Sequence, residues 1–258
     1  MTTSLHARSC IDWNRPEGLP VLDEGEVHVW CADLQEAGSI ASRLERLLSE
    51  DERRRAAAFY FEEDRCRFMM ARAVLRELLG SYLHIDPGVL RFALDAYGKP
   101  WLAHPTGLDE MHFNVAHSHG LALYALARDR TVGVDVEQVR AEFPYEGIAA
   151  QFFSSDENAV LRTMPVSLRS ERFFLYWTCK EAYLKAIGAG LGFPLESIHV
   201  DVGSDGGPAR VQIEGKPGEG SHWSIMQLTP SDGYTGAIAV RGKRLRLACW
   251  RWSAAYCA

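Results

Sequence analysis

No CxxC pair occurs in this sequence, and its six cysteines (Cys10, Cys31, Cys66, Cys179, Cys249 and Cys257) are scattered. That spacing argues against a disulfide framework and against a cysteine-ligated zinc site, and it fits reduced thiols. Long apolar runs are missing as well. "LALYALA" is only strand-sized, far short of the roughly 20 residues that cross a bilayer. The opening "MTTSLHARSCIDWNRPEG" has no apolar core of signal-peptide length. Nor is there an excess of positive charge. A net charge of −6 argues against a general binder of nucleic acid or anionic membrane. Any polyanionic ligand must therefore meet a local cluster of bases, and the expectation is a soluble cytoplasmic protein acting as a monomer.

What is present is ordinary for a globular chain: 47% apolar and 24% charged residues over 258 positions, enough for one large domain or two small ones. "EVHVW" (26–30) reads as a strand, and a helix is expected to begin near Ser39 and run through "ASRLERLLSE". The charged stretch "DERRRAAAFYFEEDRCRFMMARAVLRELLGSYL" carries apolar residues at helical spacing. "DAYGKPW" is rich in turn residues. "HFNVAHSHG" then leads into "LALYALARDRTVGVDVEQV", which predicts a hairpin about Arg128, Asp129 and Arg130.

The second half repeats this order. A helix over about 170–187 is followed by "GAGLGFPL", and "HWSIMQLTPSDG" then leads into "YTGAIAVRGKRLRLACW". The expectation is an α+β fold of two pseudo-symmetric halves, 1–128 and 129–258, arising by internal duplication. Each half would be a small antiparallel sheet packed with a long helix. A single α+β domain with coincidental hairpins is the alternative.

In "TVGVDVEQV" read as a strand, Val132, Val134 and Val136 face one way and Gly133, Asp135 and Glu137 the other. Two carboxylates then stand roughly 7 Å apart on one face. A solvated edge strand explains that equally well. On the helix "FLYWTCKEAYLKAIGAG", Phe173, Trp177, Leu184 and Ile187 form an apolar stripe, yet Lys180 and Glu181 fall inside it. An exposed pair of Glu181 with Lys185 does not suit such a position, where an unpaired charge costs several kcal/mol. A helix acid meeting two strand acids gives an all-oxygen donor set of the kind Mg²⁺ takes, beside substrate phosphates. Lys180 and Lys185 would then face those phosphates. Further bases are Lys99 beside Pro100, His117 in "FNVAHSHG", and Arg55, Arg67 and Arg72, which on their own read as a solvated helix face. His112, His117 and His119 form only a weak zinc pattern.

Taken together, "GVDVE", "WTCKEAYLKAIG", "GKPWL", "FNVAHSHG" and "FFSSDE" resemble, in order, the motifs of the surfactin-type 4′-phosphopantetheinyl transferases, over about 53–190. Members of that class resemble two fused copies of a smaller trimeric carrier-protein synthase. The resemblance implies an enzyme that moves the 4′-phosphopantetheinyl arm of coenzyme A onto a serine of an apo acyl or peptidyl carrier protein, releasing 3′,5′-adenosine bisphosphate. It implies a site in the cleft between the halves, with Asp135, Glu137 and Glu181 holding Mg²⁺ and Lys180 and Lys185 neutralising phosphate. His117 would contact phosphate near the adenosine end, and Lys99 and Pro100 would border the adenine. Arg55, Arg67 and Arg72 are candidates for the 3′-phosphate. Asp135, Glu181 and Lys185 would be the catalytic residues, with Glu181 taking the serine proton directly or through a metal-bound water.

Two positions depart from the family pattern. Ala116 stands where FNxSHS has serine, and Gln151 stands where arginine often precedes "FFS". The carrier is expected to dock on 139–161, with Phe143, Tyr145, Phe152 and Phe153 as apolar candidates. A Mg²⁺-dependent diphosphate hydrolase and a non-catalytic coenzyme A or carrier-binding module are the rival functions.

Overall fold

The computed structural model describes residues 13–35, 45–96, 98–103, 111–203, 207–243 and 245–253. In chain order its elements are β1 (Glu26–Asp33), α1 (Glu50–Ala57), α2 (Glu62–Leu83), β2 (Phe92–Leu94), β3 (Pro100–Leu102), β4 (His112–Ser118) and β5 (Leu121–Ala127). Then follow β6 (Val132–Gln138), α3 (Glu146–Phe152), α4 (Ser155–Thr163), α5 (Val166–Ile187), β7 (Ile198–Asp201), β8 (Arg210–Ile213), β9 (Trp223–Leu228), β10 (Tyr234–Arg241) and β11 (Arg246–Arg251). The helix expected from Ser39 starts outside the described residues, as do Cys10 and Cys257. Cys31, Cys66, Cys179 and Cys249 are free thiols. No described helix is long and apolar enough to cross a membrane.

The fold is α+β and divides into two compact units, one of Trp13–Asp129 with 247–253, the other of Arg130–Arg246. In the first, a four-stranded sheet runs β11-β1-β5-β4, with β5 antiparallel to both β1 and β4. Every residue of β5 is buried, as expected of a central strand covered on both faces. The 22-residue helix α2 packs on this sheet through Met70, Val74, Leu78 and Leu79, in one core with Trp30, Tyr124 and Leu126. It ends at His84, which takes the left-handed conformation of a helix C-cap (φ 55°).

The second unit has a three-stranded sheet, β6-β10-β9, antiparallel throughout, and its own 22-residue helix, α5. Beyond its exposed start, buried residues occur on every side of α5, so most of this helix lies inside its unit. Gly188 caps it in the left-handed region.

Two expected hairpins do not form. β5 and β6, on either side of Arg128–Arg130, belong to different sheets, and so do β10 and β11 on either side of 242–245. β6 pairs instead with β10, Asp135 opposite Ala237. The tight turn in this region is His119-Gly120, which joins β4 to β5 with Ser118 opposite Leu121. His119 sits there at φ 51°, the sign that two-residue hairpin turns require.

Within the second unit, β6 and α5 meet at Gly133. A Cβ there would fall 2.9 Å from the Cα of Ala186, and nearer still to the Ala182 carbonyl oxygen and the Ala186 nitrogen. All three are backbone atoms of α5 and cannot turn aside. Gly133→Ala is therefore expected to lower stability by about 1–3 kcal/mol, or more, by forcing strand and helix apart. Gly147→Ala, where a Cβ meets nothing within 4 Å, should stay within about 0.5 kcal/mol. Urea unfolding of both variants checks the contrast; equal stability of the two would contradict it.

Candidate active site

Because residue 133 lacks a side chain, β6 lies close enough to α5 for Asp135, two residues on and on the same face, to reach that helix. Lys185 Nζ donates to Asp135 Oδ1 at 2.6 Å. Asp135 is buried, while Lys185 and Glu137 are half-buried. Glu181 lies one helical turn before Lys185 on the same side of α5. Its Oε1 is buried and makes no hydrogen bond.

Burial, reinforced by the negative charge of Asp135, raises the Glu181 pKa to about 7, with Glu137 adding to the rise and Lys185 opposing it. The acids expected to act together, Asp135, Glu137 and Glu181, are thus electrostatically coupled. Their oxygen chemistry fits a hard divalent cation, and a buried carboxylate oxygen without a hydrogen-bond donor is where such an ion would bind. Among the described residues, however, no three acidic, histidine or cysteine side chains already stand in metal-holding geometry.

Lys180 takes a different position from the phosphate-facing one expected. Its side chain is fully buried, with Nζ 2.8 Å from Glu157 Oε2, 3.0 Å from the Leu195 carbonyl and 3.2 Å from the Phe152 carbonyl. These three acceptors match the three donors of an ammonium group. Adjacent helix positions point about 100° apart, so Lys180 turns into the interior while Glu181 faces β6. Local sequence assigns Glu157 no partner across the fold. The S-x-x-E capping box of Ser154 and Glu157 was the available local signal, but the partner lies on another helix.

The remaining candidate bases lie in the other unit. His117 is exposed on β4. Lys99 follows a turn closed by its own backbone N–H donating to Asp95 Oδ1, and burial lowers its pKa against the pull of Asp95. Pro100 opens β3. Arg55 is exposed over the Phe68 ring. Arg67 pairs with largely exposed Glu63 and half-exposed Asp64, so its ion pairs are weak and easily exchanged for another anion. Arg72 is more committed: it pairs with buried Glu52 and stacks on Phe68 and Phe92. Of the aromatics expected to dock a carrier, Tyr145 and Phe153 are core residues, and Phe143 and Phe152 pack against that core half-buried.

The raised Glu181 pKa has a consequence for folding. Between the ordinary glutamate value and about 7, the folded chain holds a proton that the unfolded chain has released. The contribution of Glu181 to stability, without added divalent cation, should therefore fall as pH rises through that window, by at most about 3 kcal/mol. Glu181→Gln should flatten the profile and be the more stable form at pH 8. Urea titrations of both forms from pH 5 to 8 measure this; wild-type and Glu181→Gln profiles that run parallel contradict it.

The profile of the 4'-phosphopantetheinyl transferase superfamily matches residues 131–239, and that of the 4'-phosphopantetheinyl transferase N-terminal region matches 38–129. The chain is 39% identical to 4'-phosphopantetheinyl transferase HetI of Nostoc sp., over 88% of this chain and 92% of that protein. It is 31% identical to 4'-phosphopantetheinyl transferase ffp of Bacillus subtilis, over 67% and 73% of the two chains. It is 29% identical to 4'-phosphopantetheinyl transferase Sfp of Bacillus subtilis, over 76% and 83%. The surfactin-type resemblance is thereby borne out: the chain belongs to the 4′-phosphopantetheinyl transferase superfamily.

Proposed function

We propose that the chain transfers the 4′-phosphopantetheine arm of coenzyme A to the serine hydroxyl of an apo acyl or peptidyl carrier protein, as a cytoplasmic monomer. The observation that carries this reading is the convergence of Asp135 from β6 with Glu181 and Lys185 from α5, in a chain alike over most of its length to named transferases.

Transfer of this kind needs positioning and stabilisation of charge on a diphosphate more than it needs covalent chemistry from the protein. Asp135, Glu137 and Glu181 would hold Mg²⁺, which when bound neutralises charge on the diphosphate. Lys185 supplies a second positive charge from the last turn of α5, where the helix dipole favours a cation. Glu181, whose raised pKa belongs to the cation-free chain, is the candidate base for the serine Oγ proton. Coenzyme A binding draws further on Lys99, Pro100 and His117, with Arg55 and Arg67 for the 3′-phosphate. Arg72, already paired through Nε with Glu52, is the third candidate there. Lys180, with its donors engaged inside the unit, supports the helix instead of the phosphates.

The test is to incubate the chain with coenzyme A, Mg²⁺ and an apo carrier and to weigh the carrier by mass spectrometry. A gain of one phosphopantetheinyl group is expected. Glu181→Gln and Asp135→Asn should each reduce kcat about 100-fold or more while remaining folded. An unchanged carrier mass, or coenzyme A cleaved when no carrier is present, would refute the transferase reading.

A further inference from the structure

The Glu157–Lys180 pair joins more of its unit than any core contact of that size requires. Glu157 Oε2 accepts from the Ser154 backbone N–H and lies 2.8 Å from Lys180 Nζ, while Oε1 accepts from the Val200 backbone N–H at 2.8 Å. Lys180 reaches the carbonyls of Phe152 and Leu195 as well. The connection after α3, the start of α4, the segment before β7, β7 itself and α5 are therefore all fastened at one buried ion pair. Apolar side chains of similar volume commonly stabilise a core as well or better. What they lack is direction. A set of hydrogen bonds with fixed acceptors allows one height and one rotation of α5.

Glu181 is the next residue along. A slip of one residue would move it roughly 1.5 Å along the helix axis and turn it about 100°. On the transferase reading, we propose that Glu157 and Lys180 are positioning residues for the transfer: they set the rotation and height of α5, and so hold the Glu181 carboxylate against Asp135 on β6. Lys180 acts through Glu181 and does not touch substrate. Misplacement of about 1 Å at a reacting centre costs on the order of 100-fold in rate, so loosening this pair should appear in turnover before it appears in binding.

Lys180→Met alone leaves the Glu157 carboxylate buried without its cation and is expected to be badly destabilised. The informative protein is the double variant Glu157→Gln/Lys180→Met, which removes both charges and keeps the volumes. Its midpoint should fall, because the introduced amide NH2 faces a backbone N–H and the Phe152 and Leu195 carbonyls lose a donor; assayed where it is folded, it should show kcat for carrier modification reduced at least 10-fold with the KM for coenzyme A within about two-fold. Glu157→Asp, which keeps the charge but shortens the reach, should show the same split to a smaller degree, and it carries the test if the double variant does not fold. A folded variant with wild-type kcat would overturn the proposal. So would a raised KM for coenzyme A with kcat unchanged, since that is the mark of a phosphate contact. A wild-type chain that modifies no carrier would instead remove the transferase reading, and this inference with it.

Discussion

Strand β6 and helix α5 touch through their backbones, because residue 133 has no side chain. The arrangement of chemical groups in this unit depends on that contact. With any larger residue the strand would stand off the helix, and Asp135 would lose its 2.6 Å bond to Lys185. Glu181 would also lose the neighbouring charge that helps to raise its pKa. The constraint is steric and local, yet it decides an electrostatic outcome: a buried and a half-buried carboxylate from two separate elements are held within one another's field.

The unit handles its two adjacent charges in opposite ways. Lys180 is buried and satisfied, its ammonium matched by a carboxylate and two carbonyls. Glu181 is half-buried and unsatisfied, with one oxygen lacking any donor and its proton held far above the usual carboxylate range. A fully paired charge gives directional support to the helix, whereas a carboxyl group with so perturbed a pKa is a candidate functional group. An oily helix with a lysine and a glutamate side by side is explained by this division. On the proposed reading, the first fixes the helix and the second uses the position so fixed.

Much of this was legible in the sequence. The period of α5 placed Lys180 and Glu181 inside an apolar environment, and the alternation along β6 put Gly133, Asp135 and Glu137 on one face. What escaped was whatever depends on distant partners. Helical spacing shows that Lys180 is buried but not that Glu157 awaits it, so spacing alone leaves the lysine free to face phosphate. The runs flanking Arg128–Arg130 look like hairpin arms, because strand and turn propensities are local, while the sheet each arm joins depends on pairing far along the chain. The aromatics of 143–153 carry the same ambiguity, since apolar side chains suit a docking face and a core equally. Here Tyr145 and Phe153 are core residues.

The most direct test of the central claim is to follow the Glu181 side-chain carboxyl by carbon NMR, in protein labelled at glutamate and without divalent cation. Its resonance is assigned by its absence in Glu181→Gln. The account predicts a midpoint of about 7, moving down toward the ordinary glutamate range in Asp135→Asn. A wild-type midpoint between about 4 and 5, untouched by the change at Asp135, would mean that the strand and helix acids do not share a site.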